Sequence, residues 1–143
     1  MEATLQALCA RTPEAIGAVV CDDEGETVVS ALGRARPPAE ADARAREHVP
    51  RSMTLHMPVG EFLVRLVGAE LCALLRAIDG AGRSKTAGAL RGLHLAYRGV
   101  ELVCRSLPDD YYLLVVLSSP RTLAPIQRRI DAAARVLARD IIE

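Results

Sequence analysis

The segment from Gly60 to Asp79 constrains this 143-residue chain more than any other. At about 100° per residue, Glu61, Arg65, Arg76 and Asp79 fall on one narrow face of a helix, and almost all the rest of the circumference is apolar. A surface helix needs an apolar stripe only a little over about 100° wide, so this one has surface to spare. The arc divides by side-chain size. Leu63, Val67, Leu71, Leu74 and Ile78 make a bulky ridge suited to a sheet, and Leu66, Ala69, Ala73 and Ala77 make a slimmer ridge suited to close approach by another helix. Glu70 lies between them, where a carboxylate is costly unless paired or wet. Such a helix is covered twice, by its own sheet and by a partner. Gly80-Ala81-Gly82 is expected to stop it.

The flanking segments supply the sheet. Leu5 and Leu8 mark a short helix over Met1–Ala10, ended by Thr12-Pro13, because a residue before proline is pushed out of the α region. Ala15–Cys21 and Thr27–Leu32 read as a β-hairpin around Asp22-Asp23-Glu24-Gly25. Leu93, Leu95 and Tyr97 alternate with His94 and Ala96. After the turn Arg98-Gly99, Val100, Leu102 and Cys104 alternate in the same way. Tyr111–Leu117 is apolar throughout, as a central strand covered on both faces should be. A last helix is expected from Thr122 as N-cap, with Pro125 in its first turn and Leu123, Ile126, Ile130, Ala133, Leu137 and Ile141 as its core stripe. Residues 33–58 read as a long variable loop rich in proline and charge. Ala39–Glu47 has the composition of a short exposed helix, and Met53, Leu55 and Met57 alternate like a brief edge strand.

The order α-β-β-α-β-β-β-α predicts an α/β (α+β) fold in one domain, a five-stranded antiparallel sheet with helices on its faces. With that order, and with Ala18-Val19-Val20-Cys21-Asp22-Asp23-Glu24-Gly25, Tyr97-Arg98-Gly99-Val100-Glu101-Leu102-Val103 and Tyr111–Leu117 before a terminal amphipathic helix, the chain resembles the Roadblock/dynein light chain family. Profilin-like and longin-like domains share related layouts. The resemblance implies an obligate homodimer in which the third strand pairs with its mate and the middle helices lie side by side. It also implies a partner, a Ras-like small GTPase of the gliding-motility (Mgl) type, whose activation or nucleotide exchange the dimer regulates. Carried onto this chain, Leu90–Arg98 is the pairing edge. Leu66, Ala69, Glu70, Ala73, Ala77, Leu93, Leu95 and Tyr97 form the dimer interface, and Glu61, Arg65 and Arg76 face the GTPase. An alternating apolar edge strand is a liability unless paired, which agrees.

Composition narrows the remaining classes. A formal net charge of zero gives no basic footprint for nucleic acid and no polybasic membrane anchor, and no apolar run is long enough to span a bilayer. Cys9, Cys21, Cys72 and Cys104 are widely spaced in apolar segments and read as reduced core residues of a cytoplasmic protein. Gly80–Thr86 faintly resembles a phosphate loop, but Ser84 stands where the pattern needs glycine, and the segment follows a helix instead of a strand. His48, His56 and His94 show no metal-ligand spacing, and the acidic runs Asp22–Glu24 and Asp109-Asp110 read as solvated turns. No catalytic constellation, cofactor or metal is expected. The competing readings are a scaffold or adaptor subunit of a motor or signalling complex and, from another class, a small-ligand sensor, which the scarcity of aromatics (3%) disfavours.

Overall fold

The computed structural model of the chain describes residues 1–37, 59–119 and 122–143, and for residues 59–63 and 66 the backbone alone. The short helix and brief strand expected within 39–57 lie outside the described residues. The remaining elements follow the expected order: α1 (Glu2–Ala10), β1 (Ala15–Cys21), β2 (Thr27–Leu32), α2 (Val59–Ser84), β3 (Gly92–Ala96), β4 (Glu101–Ser106), β5 (Tyr112–Leu117) and α3 (Ala124–Ile142). The strands form one antiparallel sheet in the order β2-β1-β5-β4-β3.

Every residue of β1 and β5 is buried. This explains their unbroken apolar runs, since both strands lie inside the sheet with helices on either side. The hairpin between β1 and β2 is set by Asp22, whose Oδ1 accepts the backbone N–H groups of Glu24 and Glu26 at 3.0 and 2.9 Å. Gly25 completes the turn at φ +86°, and a Cβ there would come within 3.1 Å of the α2 backbone at Ala69. Conformation and closeness both require glycine at this position.

Two cores lie on opposite faces of the sheet. On one, α1 and α3 bring Leu5, Leu8, Ile126, Ile130 and Leu137 onto Ala18, Val20, Val103, Leu113 and Val115. On the other, α2 brings Val64, Cys72 and Leu75 onto Ile16, Val19, Cys21, Leu114 and Val116. Each large side chain so buried contributes about 1.5–3 kcal/mol relative to exposure.

Three local expectations are corrected. First, the sheet-facing stripe of α2 is Val64, Gly68, Cys72 and Leu75, where the bulky ridge Leu63, Val67, Leu71, Leu74, Ile78 was expected. A Cβ on Gly68 would sit 2.8 Å from Cys21 Sγ, and one on Gly17 would sit 2.7 Å from Val64 Cγ2. Close approach to the sheet therefore selects small residues. Val67 and Leu71 flank the contact, and Leu74 is 45% exposed.

Second, α2 does not stop at Gly80-Ala81-Gly82 but runs to Ser84. Neither glycine adopts positive φ, and Arg83 Nε on Asp79 Oδ2 at 2.9 Å braces the added turn. The stop comes at Thr86, φ +63°. There the N–H of Ala87 bonds to the carbonyl of Gly82 and that of Thr86 to Arg83, at 2.9 and 3.3 Å, which is a Schellman closure with threonine where glycine is usual.

Third, the N-cap of α3 is Leu123, with no side-chain cap, where Thr122 was expected. Leu123 packs against the buried core, so apolar anchoring replaces a capping hydroxyl, while Pro125 stands in the first turn as expected.

Candidate functional site

The two faces are not equally covered. α2 packs chiefly against β1 and β2 and barely against β5. On its hairpin side Arg65 Nη2 reaches Ser30 Oγ at 3.4 Å, and Arg76 Nη1 donates to the carbonyl of Asp23 at 3.2 Å. Val67 and Leu71 of α2, and Leu93, Leu95 and Val100 of the sheet, flank the buried core of this face and are only half-buried. Toward β3 this face thus carries half-buried apolar residues with, among the described residues, no helix packed on them, while Leu102 and Cys104 of β4 are buried. Around the outward arc of α2, Ala69, Glu70, Ala73, Leu74 and Ala77 are exposed. Glu70 is the one charged group in that series, so this is an apolar surface in water.

Among the described residues the sheet ends on this side at the edge strand β3. Tyr97 N–H bonds to Val100 O at 2.9 Å and Ser106 N–H to Arg91 O at 3.1 Å. With Leu93 opposite Cys104 and Leu95 opposite Leu102, the odd-numbered residues of β3 turn their backbone groups toward β4. Gly92, His94 and Ala96 turn theirs outward, while Leu93 and Leu95 project toward the α2 face. Tyr97, 60% exposed, stands at the end of the strand.

Asp79 fastens this edge to α2. Its Oδ1 accepts the Leu90 N–H at 2.6 Å just before β3, and its Oδ2 accepts from Arg83. The Leu90 N–H, and after it Arg83, hold the Asp79 carboxyl below its usual range. Beneath α2, Cys21 and Cys72 share a thiol hydrogen bond, and that bond together with burial holds Cys21 as the thiol, well above its usual range. All four cysteines are free and buried.

The residues singled out in the sequence are thereby placed. Ala69, Glu70, Ala73 and Ala77 line the outward arc of α2, and Leu93, Leu95 and Tyr97 lie along β3. Arg65 and Arg76 are turned toward the β1–β2 hairpin. The side chains of Glu61 and Leu66 lie outside those described. Sequence reasoning missed the role of Asp79, which it read only as a charge on the polar face. Its spacing of four from Arg83 was the available signal. Among the described residues no helix is long and apolar enough to cross a membrane.

This arrangement, a five-stranded antiparallel sheet closed on one face by the terminal helices and half-covered on the other by a middle helix, is the Roadblock/LC7 fold, and the chain has that fold. A Roadblock/LC7 domain from Streptomyces avermitilis superposes with a TM-score of 0.71 at 12% identity, over 100% of this chain and 98% of that one. MglB from Myxococcus xanthus superposes at 0.67 and 13% identity, over 97% and 88%. A further MglB structure, in a tetrameric arrangement, does so at 0.67 and 12% identity, over 96% and 84%. No protein-family model matches the sequence, and no curated protein matches it.

Proposed function

We propose that the chain is a non-catalytic homodimer that binds and regulates a Ras-like small GTPase in the cytoplasm. The observation that carries this reading is the half-buried apolar β3 side of the α2 face, beside a strand edge that is unpaired among the described residues. A two-fold mate pairing along β3 extends the sheet and lays its own α2 over Leu93, Leu95 and Val100. One contact then satisfies the outward backbone groups of Gly92, His94 and Ala96 and covers the half-buried leucines. The likeness to MglB, one example of which forms a tetrameric arrangement, supports both the assembly and the kind of partner.

We extend the expected seam to Leu74 and assign Ala69 and Ala73 to the partner surface. The side of α2 toward β3 carries Leu74, with Glu70 and Ala77 adjoining, and these join Leu93, Leu95 and Tyr97 at the seam. Ala69 and Ala73, with Arg65 and Arg76 beyond them, form the surface offered to the GTPase.

Two measurements test this. Leu95→Lys and Leu74→Glu are each expected to give a monomer in light scattering, and a dimer unchanged by both would place the interface elsewhere. With the small GTPase encoded nearest to the chain, the wild-type protein should bind one nucleotide state preferentially and change hydrolysis or exchange. Ala73→Glu should lose that effect and remain dimeric. Equal binding to both nucleotide states without a rate change would identify an adaptor.

A further inference from the structure

The sheet is stepped on its other face as well. α3 packs on β4, on the turn before β5 and on α1, and it does not extend over β3. Between α3 and β3 lies a cleft of about 850 Å³. It is a different place from the half-buried apolar surface beside α2, since its floor is the side of β3 that bears Gly92 and His94.

The charges around this cleft are unbalanced although the chain as a whole is neutral. Arg91, Arg105 and Arg135 line it, against the Asp131 carboxylate and the Glu101 carboxylate held by the lining residue His94 at 2.9 Å. Arg105 is built in. Its Nε donates to Asp131 Oδ1 at 2.6 Å and its Nη1 to the Cys104 carbonyl at 2.9 Å. Gly92 makes room for it: a Cβ there would come 3.0 Å from Nη1 and 3.1 Å from Cδ of Arg105. A guanidinium has five N–H donors, and the two on Nη2 have no partner among the described residues. Arg135 is exposed and donates Nε to the Asp131 backbone carbonyl at 3.3 Å. Arg91 is exposed and has no ion pair among the described residues. Ser106, also on the lining, has a buried Oγ without a hydrogen-bond partner among them. A buried hydroxyl left unmatched is costly and is normally satisfied.

We infer that this cleft receives an extended acidic segment of a partner protein. Arg91, just before β3, and Arg135 on the helix wall take its carboxylates, and the unspent Nη2 donors of Arg105 take a third polar group. Fork-shaped guanidinium donors match carboxylates in geometry as well as charge. A lone oxyanion would fill only a corner of so large a space. A nucleic-acid backbone asks for a long basic track, which a neutral chain does not offer. The inference does not rest on the dimer, because its charged groups Arg91, Arg105 and Arg135 are not part of the proposed seam.

The test is fluorescence anisotropy of the full chain with a labelled glutamate-rich peptide at low salt. Binding is expected to weaken as salt rises. Arg91→Glu/Arg135→Glu should weaken it by about tenfold or more. Arg11→Glu/Arg129→Glu, a reversal of two exposed arginines beside α1, should leave it within about twofold of wild type. All four positions are exposed, and thermal melts will verify that each variant is folded. The inference is overturned if wild type does not bind, if both double reversals weaken binding equally, if inorganic phosphate displaces the peptide at equal concentration, or if a single-stranded oligonucleotide binds more tightly than the peptide.

Discussion

The two faces of this sheet carry similar amounts of apolar sequence and end in different states. The face under α1 and α3 is closed: Leu5, Leu113, Leu117, Ile130 and Leu137 are fully buried. The face under α2 is closed over β1, β5 and β4, where Leu102 and Cys104 are buried, but among the described residues it is less covered toward β3, where Leu93, Leu95 and Val100 are half-buried and Leu74 is 45% exposed. Among the described residues two helices cover the first face and one covers the second. Apolar residues that a chain leaves unburied against itself are available for burial against something else. The closed face stabilises the chain by itself, and the open face leaves apolar surface available for an associated surface.

The largest effect should separate these roles. Ile130→Ala, on the closed face, is expected to cost about 2–5 kcal/mol, measured by urea unfolding, with no dependence on protein concentration. Leu95→Ala, on the open face, should cost much less for the isolated chain, and its unfolding midpoint should lose the concentration dependence expected of an associating wild type. If both substitutions cost the same at every concentration, the faces do not differ in the way described.

A smaller effect probes why α2 sits as it does. Gly68→Ala would place a Cβ 2.8 Å from Cys21 Sγ and 3.3 Å from Val19 Cγ1. Overpacking of this kind costs about 1–3 kcal/mol, offset in part by the roughly 0.5–1 kcal/mol that alanine gains over glycine inside a helix. Gly80→Ala on the same helix has open space around it, so it should show the gain alone. The same substitution should therefore destabilise at one position and stabilise at the other, and equal signs in thermal melts would mean that helix-to-sheet distance is not set at Gly68.

Much of the fold could be read because its signals are local. β1 and β5 stand out as unbroken apolar runs, β3 and β4 as alternating ones, and Gly25 marks the hairpin turn. The surplus apolar arc of the middle helix was also visible, and it is the feature the open face turns upon. What could not be read was which side of that arc meets the sheet. A size argument favours the bulky ridge, but the actual contact is governed by closeness at Gly17 and Gly68, two positions far apart in sequence. Likewise Arg65 and Arg76 look like free surface charges until the hairpin folds beside them. The cleft between α3 and β3 had no local signal at all, because Arg91, Arg105 and Arg135 come from three elements.

A further test concerns the tie between α2 and the open edge. The depressed Asp79 carboxyl means that its contribution to stability is present above the unfolded-state pKa, about 4, and is lost as pH falls through the lower folded-state value. Asp79→Ala should thus be less stable than wild type at neutral pH, and the two should converge in acid below about pH 4. Hydrogen exchange at the Leu90 amide, which Asp79 accepts at 2.6 Å, should speed up in the variant at neutral pH. A stability difference that persists unchanged into strong acid would show that the ionised carboxylate is not what fastens the edge.

The smallest effect lies where α2 ends. Thr86 adopts φ +63°, a left-handed conformation that costs an L-residue roughly 1–2 kcal/mol and is least comfortable for a β-branched one. Its hydroxyl donates to the Lys85 carbonyl at 2.6 Å, a local bond that recovers part of the strain. Thr86→Gly should stabilise the chain by up to about 1 kcal/mol, since relief of the strain is partly offset by the greater freedom of glycine in the unfolded state. Thr86→Ala separates the causes: alanine keeps the unfavourable φ and loses the hydroxyl bond, so it should be no more stable than wild type. If alanine stabilises as much as glycine, the strain resides in threonine packing and not in the backbone. If neither changes the melting temperature, the segment from Thr86 to Leu90 relaxes freely, and the position of β3 beside the open face depends on Asp79 alone.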